Sequence, residues 1–309
     1  MRADIKSEVP RAKKAAIEAI QGRRSARRVI GAEAPAYGFA FHVKISAAPA
    51  AYSGGTIIPS GASRVGMPAR MRRAEAAPSA VRTTIQLIQI GVPIARVELI
   101  DQNSVRMVNA HSKLGLREEP MLLMEFHGSP ASVKEQAEVV QALADDMGGQ
   151  AFEWATTPEA RTKLWTARHN AYFAAIQSRP GCRAISTDTC VPISQLANCL
   201  LDSVKEADAS GIPYFLLGHV GDGNFHFGYL INPDDPEERA TAEQLNEWLV
   251  ARALRLGGTC TGEHGIGLHK MDFLRAEAGD AAVDMMRAIK QALDPHNIMN
   301  PGKIFTYQG

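Results

Sequence analysis

Residues 214–231, YFLLGHVGDGNFHFGYLI, carry the reading that decides the fold. Two β-rich runs flank Gly221-Asp222-Gly223-Asn224 and leave no room for a crossover between them. Strands joined so directly must pair antiparallel, because a parallel pair needs a connection of a dozen or more residues. Asp-Gly favours the centre of a two-residue hairpin turn, where both positions take positive φ. With Asp222-Gly223 as that turn, counting outward opposes Gly221 to Asn224, Val220 to Phe225 and His219 to His226. Directly opposed residues share a face, with Cβ atoms about 4.5–5.5 Å apart. The count therefore predicts a pair of imidazoles, His219 and His226, able to grip a divalent metal that takes neutral nitrogen donors. A wider loop would shift this register, and two hydrogen-bonded structural histidines are the competing reading.

Working outward, upstream segments alternate in character. Val81–Ile90 reads as a helix stopped by Gly91-Val-Pro, and Ala95–Ile100 as a strand. Asp101–Lys113 has helical spacing, Pro120–Phe126 is a compact apolar strand, and Pro130–Met147 is an amphipathic helix ended by Gly148-Gly149. Phe152–Ala155 reads as a strand, Pro158–Gln177 as a helix, and Val191–Asp208 as a helix with Ser194 as a candidate cap. Downstream, Glu238–Leu256 and Asp280–Leu293 are helical. Alternating helices and strands often mean a parallel sheet. The direct hairpin argues instead for an α+β fold, an antiparallel sheet flanked by helices.

Bulk properties bound the rest. The 309 residues suit one large domain or two ordinary ones, and 45% of them are apolar. No run reaches the ~18 apolar residues of a membrane helix, and MRADIKSEVPRAKK lacks the order of a secretory signal. The expectation is a cytoplasmic protein, with peripheral association with the inner membrane left open. Cys182, Cys190, Cys199 and Cys260 have neither CxxC spacing nor the look of a disulfide framework, so they read as reduced structural thiols. Residues 1–73 hold 14 Lys+Arg against 4 Asp+Glu, a net of +10; the remaining 20 against 29 give −9. The basic arm carries no recognition motif and its aromatics do not interleave with its arginines, which argues against specific nucleic-acid binding. Residues 1–77 read as a basic, largely irregular segment with a short helix around Ala12–Ile20, and residues 78–309 as the folded domain.

A second glycine-flanked site lies at 257–270, GGTCTGEHGIGLHK. Glycine on both sides of Glu263-His264 lets backbone approach a ligand closely. Glu263 can supply a hard oxygen to a metal, and His264 can act as a base toward a substrate hydroxyl. A plain tight turn is the alternative.

With these motifs quoted, residues from about 78 to the end resemble the C-terminal domain of FAD-linked oxidases in the vanillyl-alcohol oxidase superfamily. D-lactate, glycolate and D-2-hydroxyglutarate dehydrogenases are the members most like it. The resemblance rests on GVPIARVELID (91–101), LLMEFHG (122–128), LWTARHNAY (164–172), TDTCVPIS (187–194), GHVGDGNFH (218–226), GGTCTGEHGIGLHK (257–270) and LDPHNIMNPGKIF (293–305), in that order. It implies that His219, His226 and Glu263 bind a divalent metal, Zn2+ or Mn2+, and that His264 is the base. It further implies that Arg168 holds a substrate carboxylate, that Asn224 lies near substrate and flavin, and that Asn300 and Lys303 approach the FAD. The implied reaction oxidises a D-2-hydroxy acid to a 2-keto acid with hydride transfer to FAD.

Two departures qualify the match. Where the D-2-hydroxyglutarate branch carries a threonine and a lysine, this chain has Tyr172 and Ser186, which favours a lactate- or glycolate-like substrate. Residues 1–77 contain nothing that resembles the flavin-binding half, and the first strand and helix of the domain look eroded before Ser79. A truncated gene product, a subunit that works with a separate flavin protein, and a non-catalytic metal- or metabolite-binding module all remain open, with a metallohydrolase more distant.

Overall fold

Strand β3 (Met121–Gly128) lies inside an eight-stranded sheet, buried on both sides. Leu122, Met124 and Phe126 join one hydrophobic cluster, and Met121 and Leu123 join another on the opposite face. This is the two-residue period of a strand read out as packing, and it explains why PMLLMEF is apolar at nearly every position. The computed structural model describes residues 39–47 and 69–306.

The other strands are β1 (Phe39–Ala47), β2 (Ile94–Ile100), β4 (Gly149–Ala155), β5 (Arg183–Ser186), β6 (Thr189–Cys190), β7 (Tyr214–Gly218) and β8 (Asn224–Ile231). Their spatial order is β4-β1-β3-β2-β7-β8-β5, with β6 also against β8, and every pairing among the described residues is antiparallel. The helices are α1 (Ala69–Gln89), α2 (Gln102–Ser112), α3 (Pro130–Asp146), α4 (Pro158–Ser178), α5 (Leu196–Ser210), α6 (Pro236–Arg255), α7 (Met271–Ala278) and α8 (Asp280–Leu293). Apolar residues of α1, α3, α5 and α6 cover one face of the sheet; those of α2 and α4 cover the other. The α+β expectation holds, and the second face is the one that carries the site.

Local chemistry sets the helix ends. Asp101, before α2, accepts hydrogen bonds from the amides of Ser104 (2.8 Å) and Asn103 (3.2 Å). Asp235 does the same for Glu237 and Glu238, with Pro236 at the first helical position of α6.

Several expectations are corrected. The segment read as irregular contains β1, which lies between β3 and β4, and α1 starts at Ala69 and runs through Pro78. The pattern of Phe41, Val43 and Ile45 alternates as a strand should, but the Ala, Gly and Ser around it hide the signal. A strand and the first turns of a helix therefore precede Ser79. The helix expected at Ala12–Ile20 lies outside the described residues. Ser194 is not a cap: Ile193–Gln195 is a single 3-10 turn and α5 begins only at Leu196. Val191 is kept out of the helix by a tertiary bond, its amide donating to Gly223 O (3.1 Å). Strands β5 and β6 and helix α7 were not anticipated.

The hairpin register is also wider than counted. Leu217 opposes His226, so residues 219–223 form the connection and His219 lies beyond the end of β7. Asp222 N donates to His219 O (3.0 Å), Gly223 N to Val220 O (3.3 Å), and Gly223 takes φ +82°. A slip of one residue would send every side chain to the other face, but this slip is of two and preserves the faces. His226 still shares a face with Leu230, toward α4, while Phe225, Phe227 and Tyr229 enter the opposite core.

A Cβ at Gly223 would lie 2.1 Å from Val191 O, on a backbone that side chains rarely adopt. Gly223→Ala is expected to destabilise the chain by about 2–4 kcal/mol, the sum of left-handed strain and overpacking. A thermal melt that does not move would contradict this account of the loop.

Candidate metal and active site

His219, at the end of β7, and His226, on β8, turn their rings edge to face with centroids 5.6 Å apart. Each has one nitrogen already engaged. His219 Nδ1 lies 2.7 Å from Glu98 Oε1, and His226 Nδ1 lies 3.1 Å from the Thr187 carbonyl. A carbonyl only accepts, so His226 carries its proton on Nδ1 and offers a bare Nε2. That Nε2 is buried and has no hydrogen-bond partner among the described residues. Both Nε2 atoms face the same oxygen, Glu263 Oε1, at 3.4 Å from His219 and 3.2 Å from His226. Two imidazole nitrogens and a carboxylate oxygen, with outer-shell acceptors fixing the rings, make a donor set that fits a divalent ion with an open position.

The electrostatics support that use. Burial lowers the pKa of His226 and keeps its imidazole neutral, the form that ligates. The hydrogen bond to Glu98 outweighs burial at His219 and raises its pKa.

A second grouping, Asp188 with His226 and His264, also brings ligand atoms together. Its carboxylate is already saturated. Asp188 accepts from His264 N (2.8 Å), Glu263 N (3.1 Å), Thr261 Oγ1 (2.9 Å), Lys270 Nζ (3.1 Å) and Asn224 Nδ2 (3.2 Å). Burial alone would raise its pKa, but the amides of His264 and Glu263, the Lys270 charge and the Thr261 hydroxyl together hold it well below the usual carboxylate range. Asp188 is thus the anchor of the loop that carries Glu263, not a ligand. The fit is tight: a Cβ on Gly262 would meet Asn224 Nδ2 at 1.9 Å. That is why glycine precedes Glu263.

Beside the imidazoles opens a cleft of about 380 Å3, lined by Glu98, Trp165, Arg168, His169 and His219 among others. Arg168 reaches it from α4 and donates from Nε to Glu98 Oε2 (3.0 Å). Arg96 lies over the Trp165 ring, 4.9 Å from its centroid. Sequence reasoning missed Glu98. It alternates with Val97 and Leu99 on β2 as a solvent-facing residue would, yet it is 1% exposed. A carboxylate one step from Ile100, on a face that α4 must cover, was the available signal. Asp188 sat inside TDTCVPIS with no role assigned, since its donors come from 36 or more residues away.

The remaining expected residues divide. His264 is half-exposed, stacked on His226 with centroids 5.0 Å apart, and its Nε2 lies 3.5 Å from Glu263 Oε1. It stands at the mouth of the cluster. Asn224 is buried; its Nδ2 serves Asp188, and its Oδ1 has no hydrogen-bond partner among the described residues. Asn300 and Lys303 are exposed in the closing turn, which Ile304 N ties to Gly267 O (2.8 Å). They are not brought into the imidazole cluster.

Removing the anchor should be costly, because it leaves Lys270 and two amides without their buried acceptor. Asp188→Ala is expected to destabilise the chain by about 3–5 kcal/mol in denaturant unfolding; an unchanged midpoint would contradict the role given to it.

The model of FAD linked oxidases, C-terminal domain, matches residues 75–304. A probable mitochondrial D-lactate dehydrogenase of Danio rerio is 46% identical over 226 residues, 73% of this chain and 46% of that protein. A mitochondrial D-lactate dehydrogenase [cytochrome] of Arabidopsis thaliana is 42% identical, covering 73% and 40%. A glycolate oxidase subunit of Bacillus subtilis is 31% identical, covering 74% and 48%. The chain thus spans about half the length of the curated relatives it matches. Among solved structures, 4-ethylphenol oxidase from Gulosibacter chungangensis superposes with a TM-score of 0.59 at 15% identity, over 87% of this chain and 54% of that one, a likeness of fold alone. No helix among the described residues is long and apolar enough to cross a membrane. On its motifs, its antiparallel sheet and the extent of these matches, the chain belongs to the FAD-linked oxidase C-terminal domain family.

Proposed function

We propose that this chain is the substrate- and metal-binding half of a flavin-dependent D-2-hydroxy-acid dehydrogenase of the D-lactate or glycolate type. A flavin-bearing segment or a separate flavin-domain subunit would complete it. One observation carries the reading: two imidazole Nε2 atoms and Glu263 Oε1 converge beside a cleft that Arg168 lines. The names of the relatives support the substrate class, and Tyr172 and Ser186 favour a small monocarboxylate.

His219, His226 and Glu263 would hold a divalent ion, Zn2+ or Mn2+. When bound, such an ion would supply Lewis acidity toward a substrate hydroxyl, and FAD would supply a hydride acceptor. Arg168 binds and orients the substrate carboxylate, with Glu98 fixing one edge of its guanidinium. His264 takes the hydroxyl proton, and its ring is aligned by stacking on His226. Asp188 keeps Glu263 and His264 in place through their backbone amides. Asn224, through an Oδ1 without a hydrogen-bond partner among the described residues, serves substrate or flavin, and Asn300 and Lys303 serve the flavin side.

Four measurements test this. Calorimetry is expected to find one Zn2+ site that His226→Ala abolishes; undiminished binding would remove that histidine from the ligand set. Glycolate or D-lactate should bind roughly tenfold to a hundredfold more weakly to Arg168→Lys, the loss of a charge-assisted paired contact. Zn2+ binding near pH 7 should release protons, because the raised pKa of His219 leaves its imidazole partly protonated, whereas His226 is neutral. Affinity then falls as pH falls, and the proton release should vanish in His219→Gln. With a flavin-bearing partner supplied, D-lactate or glycolate should bleach the flavin band, and a His264→Ala chain should not support it. Binding without bleaching by the unaltered chain would leave a non-catalytic module.

A further inference from the structure

Glu98 is a buried carboxylate with a different donor on each oxygen. Oε2 accepts from Arg168 Nε at 3.0 Å, and Oε1 lies 2.7 Å from His219 Nδ1. Its side chain is 2% exposed, so water does not compete for either oxygen. Arg96 Nε, the next nearest cation, stands 4.0 Å from Oε1 on a side chain that is half-exposed. One carboxylate therefore serves a residue on the cleft side and a residue on the imidazole side.

We infer that Glu98 is a positioning residue that couples the metal centre to the carboxylate-binding arginine, so that each site strengthens when the other is filled. The inference rests on His219 being a ligand and Arg168 a carboxylate binder. An ion on His219 Nε2 withdraws electrons from the ring and makes Nδ1–H a stronger donor to Glu98. Negative charge on Glu98 is drawn toward His219, and the Arg168 guanidinium is left less compensated. A less compensated guanidinium binds an anion better. By linkage, an anion on Arg168 must raise the metal affinity by the same factor.

The arrangement makes a signed prediction for the full-length chain. Zn2+ affinity is measured calorimetrically at one pH for the unaltered chain, Glu98→Gln, Arg168→Met and the double variant. With Glu98 intact, Arg168→Met should raise Zn2+ affinity about fivefold, because the carboxylate then serves His219 alone; in the Glu98→Gln background the same change should have little effect. An equal gain in both backgrounds means simple repulsion between guanidinium and ion and overturns the coupling, as does no gain in either. A structural role for Glu98 alone would weaken binding without creating this difference. If the unaltered chain binds no Zn2+, the ligand assignment itself fails; if it binds Zn2+ but the cycle is additive, only the coupling fails. Should Glu98→Gln not fold, nitrogen NMR on the unaltered chain decides. The expected result is a His219 proton on Nδ1 and an Arg168 Nε–H resonance that moves on Zn2+ addition. In the Zn2+-bound chain, a His219 ring without a proton on Nδ1, or an unmoved arginine resonance, overturns the proposal.

Discussion

The buried negative charge on Asp188 is the constraint on which the site depends. A carboxylate removed from water is tolerable only when its lone pairs are filled, and here five donors fill them. Those donors come from β8, from the loop holding Thr261 to His264, and from Lys270. The charge therefore does for the loop what no hydrophobic contact could. Glycine-rich backbone has little apolar surface to bury, so its position must come from hydrogen bonds. Glu263 points at the imidazoles because its own amide is held from behind.

The sheet supplies the complementary half. Its two faces are both covered, so the site cannot lie across the middle of either; it forms where β2, β7 and β8 end and the loop 219–223 docks through Gly221 N on Val97 O (3.3 Å). Glu98 and His226 lie on the face of these strands that α4 covers, and Glu98 meets Arg168 there. The opposite face sends Val97, Phe225 and Phe227 into the larger core. The rigidity of that core is what the outer-shell contacts lean on.

Most elements from residue 81 onward were legible because their periodicities are strong and their punctuation is clear, as with Pro130 through Gly149. The meeting of His219, His226 and Glu263 was legible because glycine-flanked histidines and glutamate stand out in sequence. What escaped has physical reasons. β1 is a strand in a composition that resembles loop, and its pairing partners lie far along the chain. Asp188 and Glu98 look like ordinary polar residues until the donors around them are assembled from distant segments. Ser194 failed as a cap because Val191 was already committed to a backbone bond with Gly223, a tertiary demand that overrode a local preference.

The register of the β7–β8 hairpin has a meaning beyond this molecule. Because His226 opposes Leu217 and not His219, the two imidazoles meet across a loop and not across a ladder rung. Their convergence depends on the parity of the strands and on the length of 219–223. Insertions or deletions within the strands could be absorbed only in pairs, since an odd change would deliver His226 to the hydrophobic core and a phenylalanine to the place of its imidazole. The segment is thus a ruler with even graduations, and drift in its length should be seen in steps of two or not at all.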